Sequence, residues 1–274
     1  MNETFNFNRF WTYFKYDLKQ MWRNHSKAAI MIGGASAIFY VVWVLFSLVF
    51  FQHWTSPVIY ARFGVLVLAF AVLEFYQAYT YGYLTDKKKG SAWLMIPASK
   101  AEKFVSMLLI TLIVIPLLFF AVYFLIDGIL SLVDPTYGKA LISGFLGTYS
   151  DIINGLSSIG GESAITFTPG TLLFSGIVSV FINFLYFLLC GICFKKNKIV
   201  GAIAIMLGLS LVLSLISGFF MIHFVQNAQF NFDGNDPQAF QWLANLMNVS
   251  VFISCLLTVG LGWGVWRRIK TIQH

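Results

Sequence analysis

Six long apolar runs fix what this chain can become. They cover about Ala28–Phe51, Phe63–Leu84, Phe104–Leu125, Thr171–Phe194, Ile199–Val225 and Leu246–Trp266. Each reaches the roughly 20 residues that a helix needs to cross a hydrocarbon core. In lipid there is no water to satisfy backbone N–H and C=O groups, so such runs fold as helices. The expected class is an all-α, polytopic membrane protein with six transmembrane helices in one membrane domain. Composition agrees: 58% of the residues are hydrophobic and only 11% charged, where a soluble domain carries about 25% charged residues.

Charge sets the expected orientation. Segments 1–27, 85–104, 195–198 and 267–274 hold 5, 5, 3 and 3 Lys and Arg residues, while 52–62, 126–170 and 226–245 hold 1, 1 and 0. Sixteen of the eighteen basic residues thus fall on one side, which the positive-inside rule makes cytoplasmic. Both termini are then inside, as an even number of spans requires. The net charge of +7 is accounted for by topology and does not call for nucleic acid. The external segments instead carry Asp127, Asp134, Asp151, Glu162, Asp233 and Asp236.

The segments between the runs are informative in their own right. In residues 1–27, Phe7, Phe10, Trp11, Phe14, Leu18 and Met21 recur at helical spacing, with Arg9, Lys15, Lys19 and Arg23 largely off that stripe. This pattern predicts an amphipathic helix lying in the headgroup plane. No signal peptide is evident. In 126–170 the patches Ala140–Phe145 and Tyr149–Leu156 suggest two short surface or re-entrant pieces. In 226–245, Asp236 can cap a helix and Pro237 suits its first position, so a short outer helix should lead into the sixth span.

The stretch Thr85–Phe104 is the one long charged segment between spans. It carries Lys87, Lys88, Lys89, Lys100 and Lys103 against Asp86 and Glu102, with Trp93, Leu94, Met95 and Ile96 in its middle. Ser99 and Glu102 form an S-x-x-E capping box, so a helix should start at Ser99 and run on into the third apolar run. A basic elbow with apolar residues can dock a soluble partner. The same lysines could equally hold a loop against anionic headgroups.

Chemistry-bearing residues are few. Glu74 lies near the middle of the second run, with Gln77 and Tyr81 on the same face, and Asn183 lies at similar depth in the fourth. An ionisable group at that depth is a functional candidate; the plainer reading is a carboxyl hydrogen-bonded to a neighbouring helix. Asn183 reads more simply as interhelical glue. Ser210, Ser214 and Gly218 make a small-residue ridge, Pro116 should kink the third span, and Cys190, Cys193 and Cys255 read as packing residues. His25, His53, His223 and His274 are scattered and make no metal site. No G-x-x-x-x-G-K-[ST] or H-E-x-x-H motif and no nucleophile–His–acid set is present, so neither enzyme chemistry nor a cofactor is called for.

The run Leu94-Met95-Ile96-Pro97-Ala98-Ser99-Lys100, followed by Lys103, resembles the cytoplasmic L-x-L-P-x-S-[RK]…K element of ATP-binding-cassette exporter permeases of the second type, with Ile96 where leucine is usual. In that family the element lies between the second and third spans, as here. The N-terminal amphipathic helix, six spans, inside termini and external helical piece before the last span also match, so the resemblance covers nearly the whole chain. The Phe-Asn-Phe-Asn-Arg-Phe-Trp start looks like small permease-like proteins of Bacteroidetes-type bacteria. The resemblance implies a multi-pass subunit of a bacterial plasma membrane. A separate ATPase subunit would dock on the elbow through Trp93, Leu94, Met95, Pro97, Ser99, Lys100, Glu102 and Lys103, and on the N-terminal helix. It further implies a homodimer or heterodimer of permeases with the substrate path between them, lined by candidates such as Glu74, Gln77, Tyr81 and Asn183. The competing reading is a non-transporting scaffold, immunity or sensor protein on the same fold.

The charge distribution makes a direct prediction. In a background without the native cysteines, cysteines placed at Lys88 or Lys196 should be shielded from impermeant thiol reagents in intact cells. Those placed at Asp151 or Asp233 should be labelled. Labelling of the Lys88 position from outside would reverse the orientation.

Overall fold

The computed structural model describes residues 5–144, 147, 169–227 and 237–271. Its regular structure is helical throughout, with no strand among the described residues. Helix α1 (Phe7–Gly33) starts at Asn6, whose side chain accepts from the N–H groups of Asn8 and Arg9. The helix runs unbroken across positions 27 and 28; its interruption is at Gly34, and α2 (Ala35–Phe51) follows. Then come α3 (Ile59–Thr80), a 3-10 turn at Gly82–Thr85, α4 (Lys87–Met95), α5 (Lys100–Leu109), a π turn at Ile110–Val114 and α6 (Ile115–Val133). The last three are α7 (Pro169–Cys193), α8 (Lys198–Asn227) and α9 (Pro237–Thr271). Six stretches are long and apolar enough to cross a membrane: Phe7–Phe51, Ile59–Thr85, Lys100–Val133, Leu173–Cys193, Lys198–Ile216 and Asn248–Thr271.

Two local expectations take a different form in the fold. Pro116 has no N–H to return to the preceding turn, and the irregularity it causes is the wide turn directly before it. Pro237 does open a helix, but that helix continues without interruption to Thr271 rather than forming a separate outer piece. The patches at 149–156 and the capping position Asp236 lie outside the described residues.

Side-chain pairings give the direction of each helix. Arg9 meets Glu102, Asp17 meets Ser106, Gly33 packs on Val122 and Tyr40 meets Asp134, so α1–α2 runs alongside α5–α6 in the same direction. Helix α3 is antiparallel to both, pairing Arg62 with Asp127 and Tyr81 with Asp17. Helix α7 is parallel to α3, with Asn183 on Glu74 and Gly191 on Ala78. Helix α8 turns back on α7 through Asn197, a left-handed residue, so that the Tyr186 hydroxyl donates to the Ala202 carbonyl. Helix α9 again follows α7, with Gly264 on Leu189 and Arg268 on Ile192. The six membrane-length stretches among the described residues therefore alternate in direction. Asn6, the 85–100 elbow, Lys198 and Lys270 all meet at one end of the bundle, through the Asn6–Glu102, Lys198–Thr85 and Lys100–Lys270 hydrogen bonds.

One continuous core joins α1, α3, α4, α5–α6, α7 and α9, including Leu73, Met107, Phe119, Phe184, Leu188 and Ile269. Partly buried Phe70 packs against this core, with its ring centroid 5.4–5.9 Å from those of Phe119, Phe120 and Phe184. At Gly191 any Cβ would collide with the Ala78 carbonyl, so only glycine lets α3 and α7 approach this closely.

The opposite end of the bundle is closed by two carboxylates. Asp127 accepts from Arg62 Nη1 at 3.2 Å, Tyr137 Oη at 2.8 Å and the Leu141 N–H at 2.6 Å. Arg62 also donates to the Lys139 carbonyl at 2.8 Å and lies 4.1 Å from the centre of the Tyr137 ring. Burial raises the Tyr137 hydroxyl to about 12, with Arg62 opposing and Asp127 adding to the shift, so it stays a neutral donor. Asp134 accepts from Tyr40, Trp54, Ser56 and Thr136. Burial alone would raise its pKa, but the bonds from Ser56, Thr136 and Tyr40 hold its carboxyl well below the usual carboxylate range.

Arg62 and Asp127 are 3% and 1% exposed. Removing one member of a buried, hydrogen-bonded ion pair costs about 3–5 kcal/mol. Asp127→Ala should therefore lower the unfolding midpoint of the detergent-solubilised protein markedly, whereas Lys139→Ala, whose carbonyl and not side chain is used, should leave it unchanged. An unaltered midpoint in Asp127→Ala would remove the clasp as a structural element.

Candidate functional site

The end of the bundle that gathers the basic segments is built on one row of α1. Arg9, Tyr13, Asp17, Met21 and His25 are spaced four residues apart, so they stack on one face of the helix. Each touches a different part of the bundle. Arg9 grips Glu102 through Nε at 3.0 and 2.8 Å and through Nη2 at 2.7 Å. Tyr13 Oη accepts from Trp93 Nε1 at 3.0 Å. Asp17 accepts from Tyr81 Oη at 3.0 Å and Ser106 Oγ at 2.7 Å. Met21 enters the apolar core, and His25 Nδ1 lies 2.7 Å from Tyr76 Oη.

The elbow closes on this row. Ser99 Oγ accepts from the Glu102 N–H at 3.2 Å, and Glu102 Oε2 accepts from the Ser99 N–H at 2.9 Å, so the capping box read from the sequence is formed. Glu102 also accepts from the Asn6 N–H at 2.9 Å. A single fully buried carboxylate thus ties the chain start, α1 and the start of α5 together. Lys103 Nζ donates to the Trp93 carbonyl at 2.8 Å and lies 4.6 Å from the centre of the Trp93 indole. That contact fastens the end of α4 back onto α5.

The eight elbow residues expected to dock a partner separate into two groups. Trp93, Ser99, Glu102 and Lys103 are buried inside the chain, and Leu94 is packed against the core. They shape the elbow from inside, and of the five only Leu94 keeps a partly exposed side chain. Met95, at 83% exposure, Pro97 and Lys100 face outward. The reason is local: α4 is short, and the Lys103 and Tyr13 bonds pin its inner face at Trp93, which leaves Met95 on the opposite side. Lys87, Lys88 and Lys89 open α4.

A cleft of about 710 Å³ lies between this elbow and α1. Tyr16, Gln20 and His25 of α1 form one wall, Tyr83 and Asp86 another, and Lys198 its far edge. Lys198 Nζ donates to the Gly82 carbonyl and, at 2.8 Å, to Thr85 Oγ1. The 195–198 turn is thereby locked to the elbow.

The four mid-span candidates do not form one lined path. Asn183 Nδ2 donates to Glu74 Oε1 at 3.1 Å, joining α7 to α3, the interhelical bond that the plainer reading of Glu74 required. Gln77 is fully buried and accepts from Thr80 Oγ1 at 3.5 Å. Tyr81 turns to α1 and Asp17. Of the α1 stripe, Phe10 and Met21 are buried and Phe14 and Leu18 pack on the core, while Phe7 and Trp11 are exposed. The residues that sequence reasoning passed over are Tyr13, Asp17, His25 and Tyr76. For the three on α1, the signal that could have found them is the four-residue spacing 9–13–17–21–25, which stacks them on one face of the helix with Arg9 and Met21.

Against known proteins, the chain matches no family model, and no curated protein or solved structure is significantly similar to it.

The division of the elbow is testable by stability alone. Trp93→Ala empties a filled core position and should cost about 3–5 kcal/mol. Met95→Ala should change stability by no more than about 0.5 kcal/mol, as for exposed sites generally. Equal unfolding midpoints for the two variants in detergent would contradict the inward placement of Trp93.

Proposed function

We propose that the chain is the membrane-embedded permease subunit of an ATP-binding-cassette exporter in a bacterial plasma membrane. It moves its substrate with energy from a separate ATPase subunit, and two permease subunits enclose the path. The end that gathers sixteen Lys and Arg residues is the cytoplasmic one.

One observation carries this reading. Between the second and third spans stands an elbow with Met95, Pro97 and Lys100 outward and a 710 Å³ cleft beside it. It is braced to α1 by Glu102 and to α8 by Lys198, and Lys103 ties its own two helical parts, α4 and the start of α5, together. A coupling element must be rigid where it meets the spans and open where it meets its partner. Flexible contacts would dissipate a push from a docked ATPase before it reached α3 and α5. Apolar side chains beside a concave surface, with a cation at the margin, are the composition of a docking hot spot. In this reading Glu74 and Asn183, bonded to each other across α3 and α7, are the mid-span polar groups available to sense substrate.

The test is co-purification of an ATP-binding-cassette ATPase with the tagged chain from its native membrane, together with permease-stimulated ATP hydrolysis. Met95→Asp and Pro97→Asp should each weaken both by about tenfold or more, a loss of at least about 1.4 kcal/mol of docking energy, with the unfolding midpoint unchanged. If both variants keep full co-purification and stimulation, the elbow is not a coupling element. If the wild-type chain retains no ATPase at all, the non-transporting scaffold, immunity or sensor reading replaces the exporter.

A further inference from the structure

A second surface lies on the other side of α5 from α1. Helices α5 and α9 meet there at an open, almost wholly apolar groove of about 390 Å³. Its walls are Phe104 and Val105 from α5 and Val259, Gly262, Trp263 and Trp266 from α9. The Phe104 and Trp266 rings, 5.2 Å apart, form its floor near the basic end. Beyond that end the surface changes abruptly to cations. Lys100, Arg267 and Lys270 are exposed, and Lys100 Nζ bonds the Lys270 carbonyl at 3.0 Å, bringing the two helices' basic residues together. Lys270 Nζ lies 4.5 Å from the centre of the Trp266 ring, and the Arg267 guanidinium lies 5.4 Å from that of Trp263. Both cations therefore sit over the groove's own aromatic walls. Among the described residues the neighbouring carboxylate of α5, Glu102, is engaged by Arg9 of α1.

We infer that this groove holds one anionic phospholipid of the surrounding bilayer, with an acyl chain between α5 and α9 and its phosphate on Lys100, Arg267 and Lys270. Three features select that occupant. The first is charge: three cations, with no free carboxylate among the described residues of the groove, make a site for an anion, and basic pockets between spans take anionic headgroups. The second is length. From Val259 to Lys270 the helix rises by about 16 Å, half of the roughly 30 Å hydrocarbon core, so the groove spans one leaflet. The third is order: cations at the bundle end, aromatic rings next and aliphatic walls deepest, which is the order of phosphate, glycerol and chain in a lipid. The indole rings suit the glycerol level because each is apolar in body with one polar N–H. Such a lipid would fill the gap between α5 and α9 and hold them at a fixed distance. The inference stands apart from the exporter reading, since it concerns a lipid ligand of the isolated chain.

The experiment uses the full-length chain purified in a mild nonionic detergent. Retained phosphatidylglycerol and phosphatidylcholine are counted by native mass spectrometry after equilibration with equal amounts of each. The wild-type chain should keep one phosphatidylglycerol with a preference of about tenfold or more over phosphatidylcholine, the factor that a few headgroup-bound cations supply. The combined Lys100→Gln, Arg267→Gln and Lys270→Gln variant should lose that preference. Gly262→Leu should lose the bound lipid with all three cations intact, because a side chain at Gly262 meets no protein atom and projects into open groove. Lys15→Gln with Lys19→Gln, on the exposed face of α1, should retain it. Equal binding of the two lipids by the wild-type chain, or full retention by Gly262→Leu, would overturn the assignment. Should the triple variant fail to fold, the Gly262→Leu result decides alone.

Discussion

Glu102 is the knot on which one end of this bundle depends. A carboxylate with no exposed surface survives only if every lone pair is used. Here the donors are the Arg9 guanidinium and the N–H groups of Asn6 and Ser99. One acceptor therefore fixes three things at once: where α1 begins, where α5 begins, and the distance between them. The row along α1 follows from that starting point. With Arg9 held, each fourth residue is carried to a set position on the bundle, and Tyr13, Asp17 and His25 reach Trp93, Tyr81 with Ser106, and Tyr76. The ion pair reaches the surface only on its Arg9 side, which is a third exposed. Arg9 can therefore be wetted while the acceptor cannot.

Strong polar contacts crowd the two ends of the bundle and thin out between them. At one end stand Glu102, Lys103 and Lys198; at the other, Asp127, Arg62 and Asp134. The middle relies on phenylalanine rings and the Glu74–Asn183 bond. That distribution is what a bilayer imposes. Apolar packing between helices gains little over packing with lipid tails, so the connections that set register are best made where water and headgroups begin. Helix α8 shows the converse. Leu207, Leu211 and Leu215 are all more than half exposed, and Ser210 and Ser214 donate to the Leu207 and Leu211 carbonyls of their own helix. At Gly218, a member of its small-residue ridge, an added Cβ would meet no atom of the described residues within 4 Å.

The six helices were legible in the sequence because lipid removes every alternative to a long apolar run except helix. Their alternation and the gathering of the basic segments at one end followed from charge counts alone. The capping box was legible too, since Ser99 and Glu102 are three residues apart and the contact is local. What was not legible was direction across sequence distance. Nothing near Trp93 in the chain tells that its indole meets Tyr13, 80 residues away. On a membrane surface an exposed tryptophan and a buried one look alike in sequence. Lys103 misleads for the same reason: a lysine in a basic loop reads as solvated, yet two carbonyls at the end of α4 take up its ammonium. The division at residues 27 and 28 marked the end of the basic residues, whereas the helix stops only at Gly34, where the backbone leaves helical geometry.

Helix α5 is where these surfaces combine. Glu102, Lys103 and Ser106 point toward α1 and α4, while Ala101, Phe104 and Val105 point into the groove against α9. Lys100 stands on the boundary, exposed beside Met95 and Pro97 and bonded to Lys270. An ATPase on the elbow and a lipid in the groove would therefore act on the same helix from two sides. Coupling between two ligands needs an element whose position both can bias. For α5 the wide turn at Ile110–Val114 supplies the place where such a bias can be absorbed, because a π turn alters helix phase without breaking the chain of hydrogen bonds. Movement of the 100–109 segment would then reach α6 as a rotation below Pro116, while the clasp at Arg62 and Asp127 keeps the far end of α6 in place.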